Sequence, residues 1–210
     1  MIISEIPRDE LPRRLALLRT NLRRGAARGA LALIARTAPD RARDFRAEAH
    51  RRAAIAVARR LGIATRESSP PRSFGWDGRA LHARTEAYVL LHEIAHHLLA
   101  PASRRRRVEF GLGPGPETGH RAAAKRRAVL AGMALEREEA MASLLGIVWE
   151  AELRQPALAS FLDQNWLEGA ERRTAAAHFE TTFARLRRAG LVSPSGRPLL
   201  SARKQKRRLP

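Results

Sequence analysis

His92, Glu93 and His96 form a His-Glu-x-x-His array inside the apolar segment 87–99. Side chains four residues apart stand one helical turn apart on a common face, so both imidazoles can aim at one metal ion. Glu93 follows His92 around the helix, within reach of a metal-bound water or a substrate proton. Imidazole is a general ligand for first-row metals, and a carboxylate can accept the proton of a water acidified by such an ion. Glu93 is therefore the candidate catalytic residue, and His92 and His96 are candidate ligands. On a helical wheel Ala87, Leu90, Leu91, Ile94, Ala95, Leu98 and Leu99 make one stripe, and Val89, His92, Glu93 and His96 fall opposite it. A solvated face would carry Lys, Arg or Gln there. The pattern predicts a helix held between a core and a cleft, with Tyr88 and Val89 at the cleft's edge.

Zinc or iron normally takes a third protein ligand and keeps one or more positions open. The best supplier is the segment Glu136-Arg137-Glu138-Glu139, which opens an apolar helical run. Glu136 and Glu139 are one turn apart, so one can ligate while the other orients a histidine. Glu136 is the expected ligand, with Glu138 on a more solvated face and Glu139 and His120 as alternative ligands or supporting groups. His97 points well away from His92 around the helix. Acids in a first turn also suit the helix dipole without any metal, and paired histidines can simply be hydrogen-bonded.

These residues need a scaffold, and the pattern around them is helical. Leu11, Leu15, Leu18 and Leu22 keep helical spacing behind an Asp9 cap, a short Ala-rich helix covers 31–36, and a third runs from Pro39-Asp40 to Leu61, ended by Gly62. Segment 65–78 reads as a loop or a short hairpin, and the metal helix spans about 80–100. A long loop over 101–119 sits where it can shape the cleft. Helices resume over 120–130 and 135–153, break at Pro156, and continue through Trp166 to Arg188, where Gly190 ends the last one. Trp149 and Trp166 read as core, and Trp76 as core or hairpin packing. The expected class is mainly α: one helical domain around a zincin-like His-Glu-x-x-His site. Its parts are an N-terminal helical segment (1–64), a metal-binding domain (65–192) and a disordered basic tail (193–210).

The chain has 210 residues, enough for one sizeable core, and a formal charge of +19. Only three of its basic residues are lysines, and the arginines are scattered without interleaved aromatics, as compositional bias would leave them. The charge still favours an acidic partner over a basic one. Segment 183–198 has the pattern of a helix leading into a small wing, and Arg203, Lys204, Lys206, Arg207 and Arg208 follow. A nucleic-acid-binding protein with inert histidines is therefore an alternative. The absence of cysteine excludes disulfides and thiolate ligands. No apolar run reaches the roughly 20 residues of a membrane span, and the N-terminus lacks a signal-peptide pattern, so a cytoplasmic protein without membrane contact is expected.

From 91 to 111 the chain resembles the elongation factor P hydroxylases. The shared features are the His-Glu-x-x-His helix, a small-residue turn, paired arginines (Arg104, Arg105) and a Val-acid-Phe-Gly run at Val108, Glu109, Phe110 and Gly111. Segment 136–145 matches a later family helix across an insertion, and 165–169 is faintly similar to another stretch. The Gly-Pro-Gly-Pro run after Gly111 and the N-terminal third depart from the family. The resemblance implies a non-haem iron-type site with His92, His96 and a Glu as ligands. It also implies that Arg104, Arg105, Phe110 and Gly111 border the cleft, and that a modified lysine on elongation factor P, an acidic protein, is hydroxylated. The extended similarity puts the hydroxylase reading first; a zinc metallopeptidase with the same ligands and Glu93 as general base is the alternative. Either way one divalent ion, Fe(II) or Zn(II), is the expected cofactor.

Overall fold

A computed structural model describes residues 6–23, 25–67, 74–116 and 118–199. Among them are helices α1 (Leu11–Asn21), α2 (Gly25–Ile34), α3 (Asp44–Arg60), α4 (Ala87–Leu99), α5 (Ala102–Arg105), α6 (Arg121–Arg127), α7 (Gly132–Glu152), α8 (Ala157–Asp163) and α9 (Arg173–Arg188). Strands β1 (Thr65–Arg66) and β2 (Leu81–His82) and a 3-10 turn (Val108–Gly111) complete the set. The fold is mainly α, as the periodicity predicts.

Helix α7 is the central element, touching α2, α4, α8 and α9. Its second half, from Leu144 to Ala151, is buried on every side, while its first half carries the charged run 136–139 out of the core. Helix α4 buries Leu90, Leu91, Ile94 and Ala95 together with His96 and packs against α7 and α3. Where α4 and α7 cross, Gly146 faces His92, and a β-carbon there would lie only 3.2 Å from the His92 amide nitrogen. A small residue at that point brings the backbones together, so the side chains of α7 one and two turns earlier reach across to the α4 histidines. One continuous hydrophobic core joins α1–α4 to α7–α9.

Several boundaries differ from the sequence expectation. Helix α1 begins after Glu10, whose side chain makes no capping bond, rather than behind Asp9. Helix α4 begins at Ala87 rather than near 80, because Leu81 and His82 are extended and pair in parallel with Thr65 and Arg66. Trp76 adds an antiparallel bridge to Leu81, and its indole is buried. Residues 164–172 form turns rather than continuing α8 into α9. Part of the expected disordered tail is ordered: Val192 bridges Pro198, and Gly196 lies so close to α2 that a β-carbon would stand 2.7 Å from the Ala30 nitrogen. Segment 193–199 is thus seated on α2 by a glycine contact. The basic run at 203–208 lies outside the described residues.

Candidate metal centre

Three side-chain atoms that could ligate one ion converge between α4 and α7. His92 Nε2 and His96 Nε2 are 2.9 Å apart, with their rings at 80°. Glu139 Oε2 lies 3.5 Å from His92 Nε2 and 3.4 Å from His96 Nε2. With metal–ligand bonds of about 2.1 Å, ligand atoms sit roughly 3.4 Å apart around a tetrahedral ion and roughly 3.0 Å apart around an octahedral one. All three edges fall in or beside that interval, so the residues present fit a single ion. His96 is only 2% exposed whereas the Glu139 side chain is 46% exposed, so the triangle is closed at the core and open at its Glu139 side.

The third member is Glu139, not Glu136. Counting 100° per residue, Glu139 lies within about 20° of Gly146 around α7, on the face turned to α4, whereas Glu136 lies about 80° off that face and is exposed. Glu138, expected on a solvated face, is instead mostly enclosed. It pairs with Arg104, and its Oε1 faces His96 Nδ1 at 3.6 Å. Burial presses the His96 imidazole toward neutrality, but Glu138 and Glu139 outweigh it and raise its pKa to about 9. His92 goes the other way, lowered because burial exceeds the help of Glu139. Glu139 is held well below the usual carboxylate range: burial opposes this, and its contacts with both histidines overcome it.

Glu93 is half-buried on α4, and its carboxyl carbon lies 3.5 Å from where a Gly75 β-carbon would be. Glu109 approaches the same position: its Oε2 would lie 3.3 Å from that β-carbon. Glu109 is buried in a left-handed conformation, φ 46°. It accepts hydrogen bonds from the Gly75 amide (2.9 Å), the Trp76 amide (3.3 Å) and the Thr118 hydroxyl (2.8 Å). These bonds tie the segment before β2 to the loop beyond α5, on the flank of α4 that carries Glu93. Burial raises the Glu109 pKa despite them. Sequence reasoning noted Glu109 only as part of a motif; a lone acid between Val and Phe gave no other signal.

The open side of the triangle is a cleft of about 370 Å³, lined by His92 and Glu139 with Ser143, Asn165, Trp166 and His178 among others. The Trp166 indole nitrogen donates to Ser143 Oγ at 2.7 Å, and His178 stacks on its ring at 5.1 Å. Trp166 is buried as expected and also forms a wall. Ser143 follows Glu139 by one turn, so its place was readable once Glu139 was chosen.

The expected cleft residues lie elsewhere. Tyr88 lies under the Arg41 guanidinium, 3.6 Å from its ring centre, and lines a different cavity with Glu150. Val89 is not among the residues lining the metal cleft. Phe110 is buried behind the site, stacked on Trp76 at 5.1 Å and 5.9 Å from the His96 ring. Arg104 supports Glu138. The Arg105 carbonyl accepts from the Trp76 indole, and Gly111 makes a turn at φ 71°. His120 is exposed against Phe74. His97 packs on Trp76, where burial and the nearby Arg105 charge depress its pKa to about 4.

Arg104 and Phe110 therefore lie behind the histidines rather than at the mouth of the cleft. No protein-family model, curated protein or solved structure matches the chain, and its assignment rests on the residues themselves.

Proposed function

We propose that this protein is a mononuclear metal-dependent enzyme in which His92, His96 and Glu139 hold one divalent ion and the adjoining cleft receives the substrate. The carrying observation is the closed triangle of ligand atoms, with edges of 2.9, 3.4 and 3.5 Å. Such a triad leaves coordination positions open on the cleft side. An ion bound there would polarise a water or a substrate oxygen.

Water activation, and hence hydrolysis of an acyl bond in a peptide-like substrate, is the best-supported chemistry. Glu93 supplies the reason: it follows His92 directly in the sequence, and its negative charge acts on His96. In this role it takes the water's proton and returns it to the leaving group. Ser143 and Asn165 line the cleft and offer hydrogen bonds for orienting a substrate amide.

Protein hydroxylation with Fe(II) is the second reading, and one observation favours it. Arg104 and Phe110, which carry the resemblance to elongation factor P hydroxylases, sit against the buried side of the ligand set. What is shared is thus support for the metal site, and an acidic protein substrate such as elongation factor P follows only from the resemblance.

The test begins with chelator-treated protein titrated with Zn(II), and anaerobically with Fe(II). One ion per chain is expected, and none would overturn both readings. The loaded protein is then incubated with a peptide library, and separately with elongation factor P under air and under argon, with products read by mass. Metal-dependent cleavage supports hydrolysis. A gain of one oxygen atom seen only in air supports hydroxylation.

A further inference from the structure

We propose that Glu138 is the positioning residue for His96, and that Arg104 locks Glu138 in place, making segment 102–111 a working part of the metal centre. The proposal rests on the metal site described above and adds to it a function for groups that no coordination role uses.

Two orphaned atoms carry it. His96 Nδ1 and Glu138 Oε1 are both buried, neither has a hydrogen-bond partner, and they face each other at 3.6 Å. Buried polar atoms are normally satisfied, because an unpaired one loses its hydration without return. A ligand bond through Nε2 leaves the imidazole proton on Nδ1, which must then donate. The atom it faces is a carboxylate oxygen.

Arg104 holds that carboxylate in position. Its guanidinium pairs with the other Glu138 oxygen, and another of its nitrogens donates to the Phe110 carbonyl at 3.3 Å. Both partners are largely enclosed, with side chains 11% and 13% exposed. With Oε2 taken by Arg104, Oε1 is the Glu138 oxygen left facing His96 Nδ1. A carboxylate bonded to the far nitrogen of a ligating histidine fixes the tautomer and ring angle and makes the near nitrogen more basic.

Zn(II) is the probe. Its affinity is measured by competition with a chromophoric chelator for wild type, Glu138→Gln, Glu138→Asp and Arg104→Met. The His96 Nδ1 proton is followed by NMR on histidine-labelled, zinc-loaded protein. Glu138→Gln should lower affinity about 10- to 100-fold and move the downfield Nδ1 proton signal upfield. Glu138→Asp, which keeps the charge at shorter reach, should recover part of the loss, and Arg104→Met should weaken binding less than Glu138→Gln.

Unchanged zinc affinity and an unmoved proton signal in Glu138→Gln would overturn the proposal and leave Glu138 as a structural partner of Arg104. If Glu138→Gln fails to fold, the wild-type spectrum decides: a missing downfield Nδ1 proton in the zinc-loaded protein overturns it. Wild type that takes up no zinc would overturn the metal reading along with it, whereas tight wild-type binding that Glu138→Gln leaves intact removes this inference alone.

Discussion

Gly146 passes so close to His92 that a β-carbon on it would stand 3.2 Å from the His92 nitrogen and 3.3 Å from its Cα. Both neighbours are backbone, which cannot swing aside as a flexible side chain can. Gly146→Ala should therefore part α7 from α4 and widen the gap between Glu139 and the histidines. Alanine favours a helix interior by up to about 1 kcal/mol over glycine, but overpacking of this kind costs about 1–3 kcal/mol, so a net loss is expected. Thermal melts should show a lower midpoint, and metal titration a weaker site. An unchanged midpoint with full metal affinity would show that the crossing tolerates a methyl group.

Among the carboxylates of α7, Glu139→Gln should damage metal binding most. Glu136→Gln should leave it near wild type, since Glu136 is exposed and off the facing side. His92→Ala and His96→Ala should each abolish stoichiometric binding while far-UV circular dichroism stays close to wild type. Retention of a full complement of metal by Glu139→Gln would remove that residue from the ligand set.

Glu93→Gln separates metal binding from chemistry. The ion should be kept, because Glu93 is not in the ligand triangle. Hydrolysis should fall by about 10²- to 10⁴-fold, the usual contribution of a general base. Oxygen-dependent hydroxylation calls for no such base and should persist at a measurable level, so one variant tested in both assays discriminates the two chemistries.

Glu150 gives a pH dependence independent of any metal. It is buried, and burial raises its pKa to about 7, against the hydrogen bond from Ser160 and the charge of Arg41. The folded carboxyl thus holds its proton over a range where the unfolded chain, near 4.5, has released it. This contribution to stability is fully present below 4.5, declines as pH rises, and is gone above about 7. Its size is on the order of 3 kcal/mol at most. Urea midpoints at pH 5 and pH 8 should differ in that direction for wild type, and the difference should shrink in Glu150→Gln.

Helix α4 was legible because two independent periodicities coincide in it: an apolar stripe on one side and His and Glu on the other. Which of two acids sharing a turn completes the His92–His96 triangle is not readable from their spacing. What selects Glu139 is the rotation of α7 about its axis, set by Gly146 ten residues beyond Glu136, a packing fact that composition near the acids does not contain. Glu138 was misread for the same reason, since its partner Arg104 comes from a separate segment. Strands β1 and β2 are two residues long, too short to leave an alternating pattern. Trp166 was recognised as core; its second surface, facing the cleft, depends on a turn that no helical spacing describes.

The seating of Gly196 on α2 has a consequence for how the chain reaches this shape. The contact joins residues separated by most of the polypeptide, whereas α4 and α7 are much closer neighbours in sequence. Long-range closure is entropically slow compared with nearer pairings. Helices α4 and α7 can thus meet before that closure, and the 193–199 turn fastens the molecule afterwards like a buckle. Shortening the chain at residue 191 would then leave the ligand helices paired but strip Ala26 and Ala30 of their cover.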